Sequence, residues 1–328
     1  MPTTQLKRNT GTALAPASIR ATNLTKSYGE KQVLRGIDLD IPAGSVFALL
    51  GPNGAGKTTT VEILSTLIAA DAGTAQLAGC DLDREPDAVR KIIGVTGQFA
   101  AVDNLLNAEE NLMLMADLHH LSKREGRRRA AELLTRFDLT EAAKQPVTTY
   151  SGGMRRKLDL AMTLVGDPRI IFLDEPTTGL DPRSRRTMWD IIRSLVADDG
   201  VTIFLTTQYL EEADQLADRI AVLDGGKLIA EGTSEELKRL IPGGHISLKF
   251  ADAATLELAA THFAATGRDD EELTLQIPSD GTVPTLRAVL DILDNAGLTP
   301  EALSQHTPDL DDVFLTLTGT DKQQEISR

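Results

Sequence analysis

Cysteine and aromatic residues are scarce in this sequence: Cys80 is the single cysteine, and 4% of the residues are aromatic. One cysteine cannot form an intramolecular disulfide, which excludes a disulfide-stabilised scaffold and fits a reducing compartment. Long hydrophobic runs are also missing, because the densest, Val46 to Leu50, is far shorter than the ~20 apolar residues that cross a bilayer. If this protein works at a membrane, we therefore expect a partner to hold it there.

Basic residues are few relative to acidic ones. The sequence has 34 Lys and Arg against 48 Asp and Glu, a formal net charge of −14. A surface of this sign repels phosphate backbones and anionic lipids, so we expect no nucleic-acid partner. The basic run from Lys123 to Arg129 is interpreted as a solvated helix face, with a patch facing a membrane partner as the alternative. The pair His119 and His120 is interpreted as a surface pair rather than a metal site, because no other His or Cys lies at ligand spacing.

The length of 328 residues suits about two domains. Residues 1–17 are polar and aperiodic, which predicts a disordered lead-in. Residues 18–241 show a βαβα rhythm typical of a mostly parallel sheet covered by helices, with an inserted helical subdomain at about 101–165. A Pro/Gly breaker then separates residues 242–328, which predict strand, helix, strand and helix, a small C-terminal α/β domain.

The strongest motif is a glycine-rich loop between a short apolar strand and a helical stretch predicted over residues 57–68. It matches the phosphate-binding pattern G-x-x-x-x-G-K-[ST]. Its glycines let consecutive backbone N–H groups surround phosphate oxygens, and the helix N-terminus adds a positive dipole end. We expect Lys57 to reach the β- and γ-phosphates and the Thr58 hydroxyl to bind Mg²⁺. The loop consists of Gly51, Pro52, Asn53, Gly54, Ala55, Gly56, Lys57, Thr58 and Thr59.

A second motif is an apolar strand that ends in two acids, Asp174 and Glu175. A strand buried on both faces needs no charge at its end, so the two acids indicate a site. We expect Asp174 to hold Mg²⁺ and Glu175 to act as the general base that polarises the attacking water.

A third motif, Ser151-Gly152-Gly153, opens a helix with a hydroxyl and two unobstructed N–H groups. This is a second anion site, and one nucleotide does not need two such sites from one chain. Two chains arranged head to tail, each lending this motif to the γ-phosphate of the other, satisfy the geometry by two-fold symmetry. Taken alone, Ser-Gly-Gly also describes an ordinary loop.

Together with three further segments, these motifs resemble the ATP-binding cassette subunit of an ABC transporter, from about Tyr28 to Gly232. The further segments hold Gln98, Gly179-Leu180-Asp181 and Thr206-Thr207-Gln208. Within that family the chain is similar to the daunorubicin/doxorubicin-resistance type, the ATPase subunit of ABC-2 type drug exporters. The segments that carry this similarity are Val95–Gln98, Tyr150–Arg156, Asp181–Arg185, Thr206–Leu210 and Leu310–Gly319.

The resemblance implies a fold and further site residues. The implied fold is an α/β P-loop NTPase cassette: a mostly parallel sheet with an antiparallel β part and the helical subdomain, followed by the small C-terminal domain. Tyr28 matches the aromatic residue that stacks on adenine, and Gln98 matches the glutamine that touches Mg²⁺ and the attacking water. Asp181 matches the residue that crosses a dimer interface near the opposite phosphate loop. The implied cofactors are ATP and Mg²⁺.

The resemblance also implies partners and a function. A homodimer would enclose two ATP molecules and drive a separate membrane permease from the cytoplasmic face of the cell membrane, exporting a drug-like or antibiotic compound. Export of a lipid or polyketide is one alternative. A non-transport cassette ATPase acting on ribosomes or DNA, and a sensor that binds nucleotide without hydrolysis, are others.

The most serious of three departures from the family pattern lies at Gln208, the other two being Tyr150 and Met154 on either side of Ser151-Gly152-Gly153. Gln208 occupies the position where most members carry a histidine that contacts the γ-phosphate. Glutamine still donates a hydrogen bond but cannot be cationic or shuttle a proton. We expect Glu175 to remain the base, Gln208 to position the phosphate, and turnover to be slow.

Overall fold

The structure is a computed structural model that describes residues 17–98, 100–240, 244–265, 267–306 and 308–325. The predicted lead-in lies outside these residues except for Ala17, where the first strand begins. The chain forms two compact units that divide between Ser234 and Glu235. The domain boundary predicted between residues 241 and 242 falls on residues outside the described ranges and stays a prediction.

The first unit contains ten strands and seven α-helices among its described residues. In chain order the strands are β1 (Ala17–Tyr28), β2 (Lys31–Pro42), β3 (Val46–Leu50), β4 (Ala72–Leu77), β5 (Cys80–Asp81), β6 (Ile93–Thr96), β7 (Ile170–Asp174), β8 (Thr202–Thr207), β9 (Arg219–Asp224) and β10 (Lys227–Gly232). The helices are α1 (Lys57–Leu64), α2 (Pro86–Ile92), α3 (Ala108–Leu118), α4 (Lys123–Arg136), α5 (Gly152–Thr163), α6 (Pro182–Asp199) and α7 (Leu210–Leu216).

The central sheet of this unit has the order β10-β9-β3-β8-β7-β6, and all its neighbouring pairs are parallel except β9–β10. Every residue of β3, β7 and β8 is buried, as expected for parallel strands covered by helices on both faces. The prediction of a mostly parallel sheet is confirmed. Since β3 and β7 both flank β8, the segments that follow β3 and β7 leave the sheet at the same edge.

A second sheet, of order β2-β1-β4-β5, is antiparallel throughout and confirms the antiparallel part of the predicted fold. Its strands alternate buried and exposed positions, so one face packs into the core through Leu34, Ile37 and Leu39 on β2. Cys80 lies on β5. It follows a turn at Ala78 and Gly79, both of which have a positive φ.

The helical region between β6 and β7 differs in detail from the sequence prediction. Within the predicted helical subdomain, the first part is divided into α3 and α4, because Asn107 and Ser122 each cap a new helix N-terminus. Leu118 on α3 is 63% exposed, whereas Leu112 and Ala116 are buried. α1 also ends earlier than predicted, at Leu64.

Two groups of exposed side chains lie in the helical region. On α4, Arg128 pairs with Glu125 and Glu132 on the exposed surface, which fits a solvated helix face. His119 and His120 are both exposed, and the described ranges hold no group of three or more His, Cys, Asp or Glu side chains placed to bind a metal ion.

The second unit holds the strands β11 (His245–Lys249), β12 (Gly267–Asp269), β13 (Thr274–Pro278) and β14 (Ala302–His306). Its helices are α9 (Ala253–His262), α10 (Val283–Ala296) and α11 (Leu310–Glu325), and α8 (Ser234–Lys238) begins at the last residue of the first unit. The sheet order is β12-β13-β11-β14 with antiparallel pairs. Leu256 and Val289 on the helices pack with Ile246 and Leu275 on the strands in one core. This confirms a small C-terminal α/β fold.

Within the residues that the structure describes, no helix combines the length and the apolar character needed to span a bilayer.

Candidate active site

The glycine-rich loop joins the end of β3 to the start of α1. Gly54 and Gly56 have φ values of 81° and 112°, a region that favours glycine. A Cβ atom at Gly51 would lie 2.3 Å from the Leu223 carbonyl oxygen, and one at Gly56 would lie 2.6 Å from Leu34 Cδ2. The loop therefore needs glycine at these positions, and it leads into the N-terminus of α1, where the helix dipole is positive.

Lys57 is buried inside this loop with 5% of its surface exposed. Its Nζ donates to the carbonyl oxygens of Gly51 at 2.8 Å and Pro52 at 3.2 Å, and lies 3.5 Å from Glu175 Oε1. Burial lowers the pKa of Lys57, an effect that Glu175 and Asp174 oppose. The Lys57 ammonium group therefore lies where the loop is predicted to bind phosphate oxygens.

Asp174 is the last residue of β7 and is 4% exposed. Its Oδ2 accepts a hydrogen bond from Thr58 Oγ1 at 3.0 Å, and its Oδ1 accepts one from Thr206 Oγ1 on β8. A hydroxyl and a carboxylate in direct contact form the all-oxygen donor set that Mg²⁺ prefers. Thr58 and Asp174 therefore fit a magnesium site, which stays a prediction.

Glu175 follows the strand in a left-handed conformation with φ of 49°, a backbone strain of about 1–3 kcal/mol for a residue other than glycine. The backbone N–H of Glu175 donates to the Thr206 carbonyl at 3.1 Å, and its Oε2 accepts from Thr178 Oγ1 at 3.2 Å. These contacts hold the carboxylate against Lys57 instead of letting it point into solvent. It is 8% exposed.

A cavity of about 420 Å³ is lined by part of the loop, by Gln98 and by Glu175, whereas Asp174 reaches it only through its contact with Thr58. The roles of these residues stay predictions. Two lining residues on β2, Lys31 and Val33, were not predicted, although they lie close to Tyr28 in sequence. The lining residues are Lys31, Val33, Asn53, Gly54, Gly56, Lys57, Thr58, Thr59, Gln98 and Glu175.

Tyr28 ends β1 and is 50% exposed, and the Lys26 ammonium lies 5.8 Å from the centre of its ring. Tyr28 does not line the cavity. An exposed ring at this position is available for stacking on a base, and the adenine role of Tyr28 stays a prediction.

The Ser151-Gly152-Gly153 motif and Asp181 lie outside the cavity and cap two helices. Ser151 Oγ accepts the Met154 N–H at 3.2 Å at the start of α5. Asp181 accepts a hydrogen bond from the Ser184 hydroxyl at 2.6 Å and from the backbone N–H groups of Ser184 and Arg183 at 3.0 Å at the start of α6. These bonds, that of the hydroxyl most of all, hold the pKa of Asp181 below its ordinary value.

The two helix starts are in close contact, because a Cβ at Gly153 would lie 2.6 Å from Ser184 Oγ. Ser151, Gly152 and Asp181 are exposed. Exposure of these residues is what a second copy of the chain would require, and their roles across a dimer interface stay predictions.

Gln208 follows β8 and is partly buried outside the cavity. The next residue, Tyr209, donates its N–H to Thr207 Oγ1 at 2.9 Å, and its ring lies 4.9 Å from the Arg185 guanidinium. These contacts fix the backbone on the C-terminal side of Gln208.

Replacing Gln208 with alanine is expected to lower the rate of ATP hydrolysis by about 3- to 10-fold, the value of one neutral hydrogen bond to the terminal phosphate. Phosphate release under saturating ATP measures the effect, and Gln208→His serves as the control that restores a donor. An unchanged rate in the alanine variant would refute any role for this side chain.

Glu212 is a buried acid that the sequence analysis missed. It lies on α7 with no exposed surface, and its Oε1 accepts hydrogen bonds from Thr177 Oγ1 at 2.8 Å and Trp189 Nε1 at 3.2 Å. Trp189 itself is buried on α6. Desolvation raises the pKa of Glu212 above its ordinary value of 4.5. The sequence feature that could have revealed the burial of Glu212 is its position near Ala213 and Leu216, which are themselves buried.

Glu212→Gln is expected to raise the unfolding temperature at neutral pH. Because the folded-state pKa of Glu212 is raised, its favourable contribution is full below the unfolded value and is lost as pH rises through the folded value. Glutamine keeps the acceptor oxygen without the charge, so its advantage should grow with pH and vanish in acid. Thermal unfolding across the pH range, with the exposed Glu211→Gln as control, tests this. Parallel curves for the Glu212 variant and the unsubstituted chain would contradict it.

Comparison with known proteins gives consistent matches. The family model described as ABC transporter matches residues 34–178. A daunorubicin resistance ATP-binding protein of Streptomyces coeruleorubidus is 48% identical over 94% of this chain and 98% of its own. A doxorubicin resistance ATP-binding protein of Mycobacterium tuberculosis is 46% identical over 92% of this chain and 93% of its own. A solved dimeric ATP-binding cassette, in a post-hydrolysis state with ADP and Pi, aligns with a TM-score of 0.60 and 28% identity over 66% of this chain and 98% of its own.

Proposed function

The chain belongs to the ATP-binding proteins of ABC transporters, in their daunorubicin-resistance type, and from this premise we propose that two copies enclose two ATP molecules and drive a membrane permease that exports a drug-like compound. The chain binds nucleotide and is an ATPase of the ABC type. The dimer, the permease, Mg²⁺ and the exported compound are the proposed parts.

The observation that carries the proposal is the contact between the phosphate-binding cation and the base. Lys57 Nζ lies 3.5 Å from Glu175 Oε1, and Thr58 Oγ1, which lines the same cavity, lies 3.0 Å from Asp174 Oδ2. Hydrolysis of a terminal phosphate needs a cation on its oxygens, a metal-binding oxygen pair and a base for water. These residues supply all three.

The chain's own residues divide the chemical work. The incoming phosphate competes with Glu175 for Lys57, so binding of ATP releases the carboxylate. Glu175 then accepts the proton of the attacking water, which Gln98 in the same cavity orients. Thr58, Asp174 and Gln98 would hold Mg²⁺, which would supply positive charge to the phosphate oxygens. Gln208 positions the terminal phosphate.

The proposed partners are supported by the exposed helix starts and by the relatives. Ser151, Gly152 and Asp181 lie on the surface, where a second copy would meet them. A structural neighbour, 24% identical, is described as part of a transporter complex, which supports a partner of the permease kind. A permease of this kind would hold the chain at the cytoplasmic face of the cell membrane.

The exported compound is the least constrained part. Similar relatives are named for resistance to daunorubicin and to linearmycin and for Nod factor export. These names support export over a role on ribosomes or DNA. They leave a lipid or polyketide cargo as the alternative to a drug.

Phosphate release by the purified chain, measured against protein concentration, tests the dimer. If two copies complete each site, the specific rate should rise with concentration and then reach a plateau. A specific rate that is constant down to concentrations at which light scattering detects monomers would refute this. Export is tested by asking whether a neighbouring reading frame encodes a polytopic membrane protein, co-expressing such a protein with this chain, and measuring daunorubicin accumulation in the cells. Equal accumulation with the intact chain and with Lys57→Ala would argue against drug export.

A further inference from the structure

Arg156 on α5 is a buried cation that the hydrolysis scheme does not use. It is 7% exposed, and its guanidinium makes four hydrogen bonds. Nε donates to the Pro176 carbonyl at 2.9 Å, and Nη2 donates to the Asp174 carbonyl at 3.2 Å. Nη1 donates to the Gly97 carbonyl at 2.8 Å and to Asp159 Oδ2 at 3.1 Å.

The carbonyl partners come from the two segments that form the walls of the active site. Asp174 and Pro176 are the residues on either side of Glu175, so two of the bonds fix the turn that carries the base. Gly97 immediately precedes Gln98, so a third bond fixes the start of the glutamine loop. One planar side chain therefore connects the base to the residue proposed to orient the water.

Asp159 extends this connection to the far side of the glutamine loop. It is 3% exposed, and its Oδ1 accepts the backbone N–H of Ala101 at 3.0 Å. Arg156 binds the loop at Gly97 and Asp159 binds it at Ala101, so both ends of the segment around Gln98 are attached to α5. We call these two residues the Arg156–Asp159 clamp.

Stability alone does not account for this pair. Burial lowers the pKa of Arg156 and raises that of Asp159, because both charges have lost water. A buried ion pair of this kind is often no more stable than an apolar pair of the same volume. What the guanidinium offers is geometry, since its fixed donors reach carbonyls on separate segments, which an ammonium group does not do.

We propose that the Arg156–Asp159 clamp positions the active site, making the glutamine loop, the Glu175 turn and α5 move as one piece. A phosphate contact at Gln98 would then reach the Ser151 end of α5, where a second copy is expected to bind. The inference rests on the proposed function, because it uses the roles given there to Gln98 and Glu175.

The test uses Arg156→Lys, Arg156→Gln and Asp159→Asn in the full chain. Their affinity for a fluorescent ATP analogue should match that of the unsubstituted chain, because the phosphate loop is untouched. Their rate of hydrolysis should fall about 10- to 100-fold, the usual cost of displacing a reacting group by about 1 Å. Hydrogen exchange should accelerate in the segment around Gln98, and a non-hydrolysable ATP analogue should no longer change exchange at the start of α5.

The matched control is Arg129→Lys. Arg129 also donates to a carbonyl, that of Leu164 at 2.9 Å, and to Asp167 at 3.2 Å, but it contacts no residue of the active site. This variant should keep the rate and the exchange response. A clamp variant that unfolds at a lower temperature yet keeps both the rate and the exchange response would overturn the proposal.

The proposed function and the positioning role of the Arg156–Asp159 clamp can be refuted separately. If the unsubstituted chain bound ATP without hydrolysing it, the proposed function would fail, whereas the exchange measurement, which needs only binding, would still test the clamp. Should Arg156→Gln fail to fold, Arg156→Lys keeps the charge and tests the geometry alone.

Discussion

Replacing Glu175 with glutamine is expected to lower ATP hydrolysis by about 100- to 10,000-fold, the usual contribution of a general base. Glutamine has nearly the same shape and cannot take a proton from water. It also no longer attracts Lys57, which lies 3.5 Å from Glu175 Oε1, so the cation stays available for phosphate. ATP binding should therefore survive, and the chain should accumulate as an ATP-loaded dimer on size-exclusion chromatography.

The control for this variant is Glu211→Gln, which makes the same chemical change on an exposed side chain outside the cavity. It should hydrolyse ATP at the rate of the unsubstituted chain. A Glu175→Gln chain that hydrolyses ATP normally would remove this residue from the mechanism. One that stays monomeric with ATP would instead contradict the dimer, so the two readouts separate the two hypotheses.

Replacing Lys57 with alanine is expected to weaken ATP binding by about 100-fold or more, because truncating one partner of a buried charged contact costs several kcal/mol. The loss is large because Lys57 is 5% exposed, so water cannot easily replace the ammonium group. Glu175 would also lose its cation and remain in the cavity as an unpaired negative charge facing the phosphates. Titration with a fluorescent ATP analogue measures the affinity directly.

Lys91→Ala, an exposed lysine on α2, is the control for non-specific loss of positive charge and should bind normally. Tight binding by Lys57→Ala would place the phosphates elsewhere in the chain. Because burial lowers the pKa of Lys57, affinity in the unsubstituted chain should also decline on the alkaline side earlier than the titration of an ordinary lysine would require.

The parts of the site that lie on continuous segments were predictable from the sequence. The strand, loop and helix around Lys57 follow one another along the chain, and so do the strand β7 and its two acids. A sequence pattern on one continuous segment predicts the local backbone structure directly. The meeting of Lys57 with Glu175 required only the rule that the parallel strands of one sheet end at the same edge, since β3 and β7 both flank β8.

Contacts that arise only from packing were not predictable in this way. Arg156 is one of several basic residues in its motif, and nothing in the local sequence says that this one is buried among carbonyls. The exposure of Leu118 is a similar case, because apolar spacing defines a helix face without saying what covers it. β14 is exposed along its whole length and shows no alternation, so it lacks the usual pattern of a strand.

The left-handed backbone at Glu175, with φ of 49°, has a consequence for engineering. Glycine or asparagine adopts this conformation more readily than glutamate, so either substitution would relieve strain while removing the acid. A search for heat-resistant variants that ignores catalysis would therefore favour inactive sequences at this position. Selection for thermostability in this protein has to include a turnover screen.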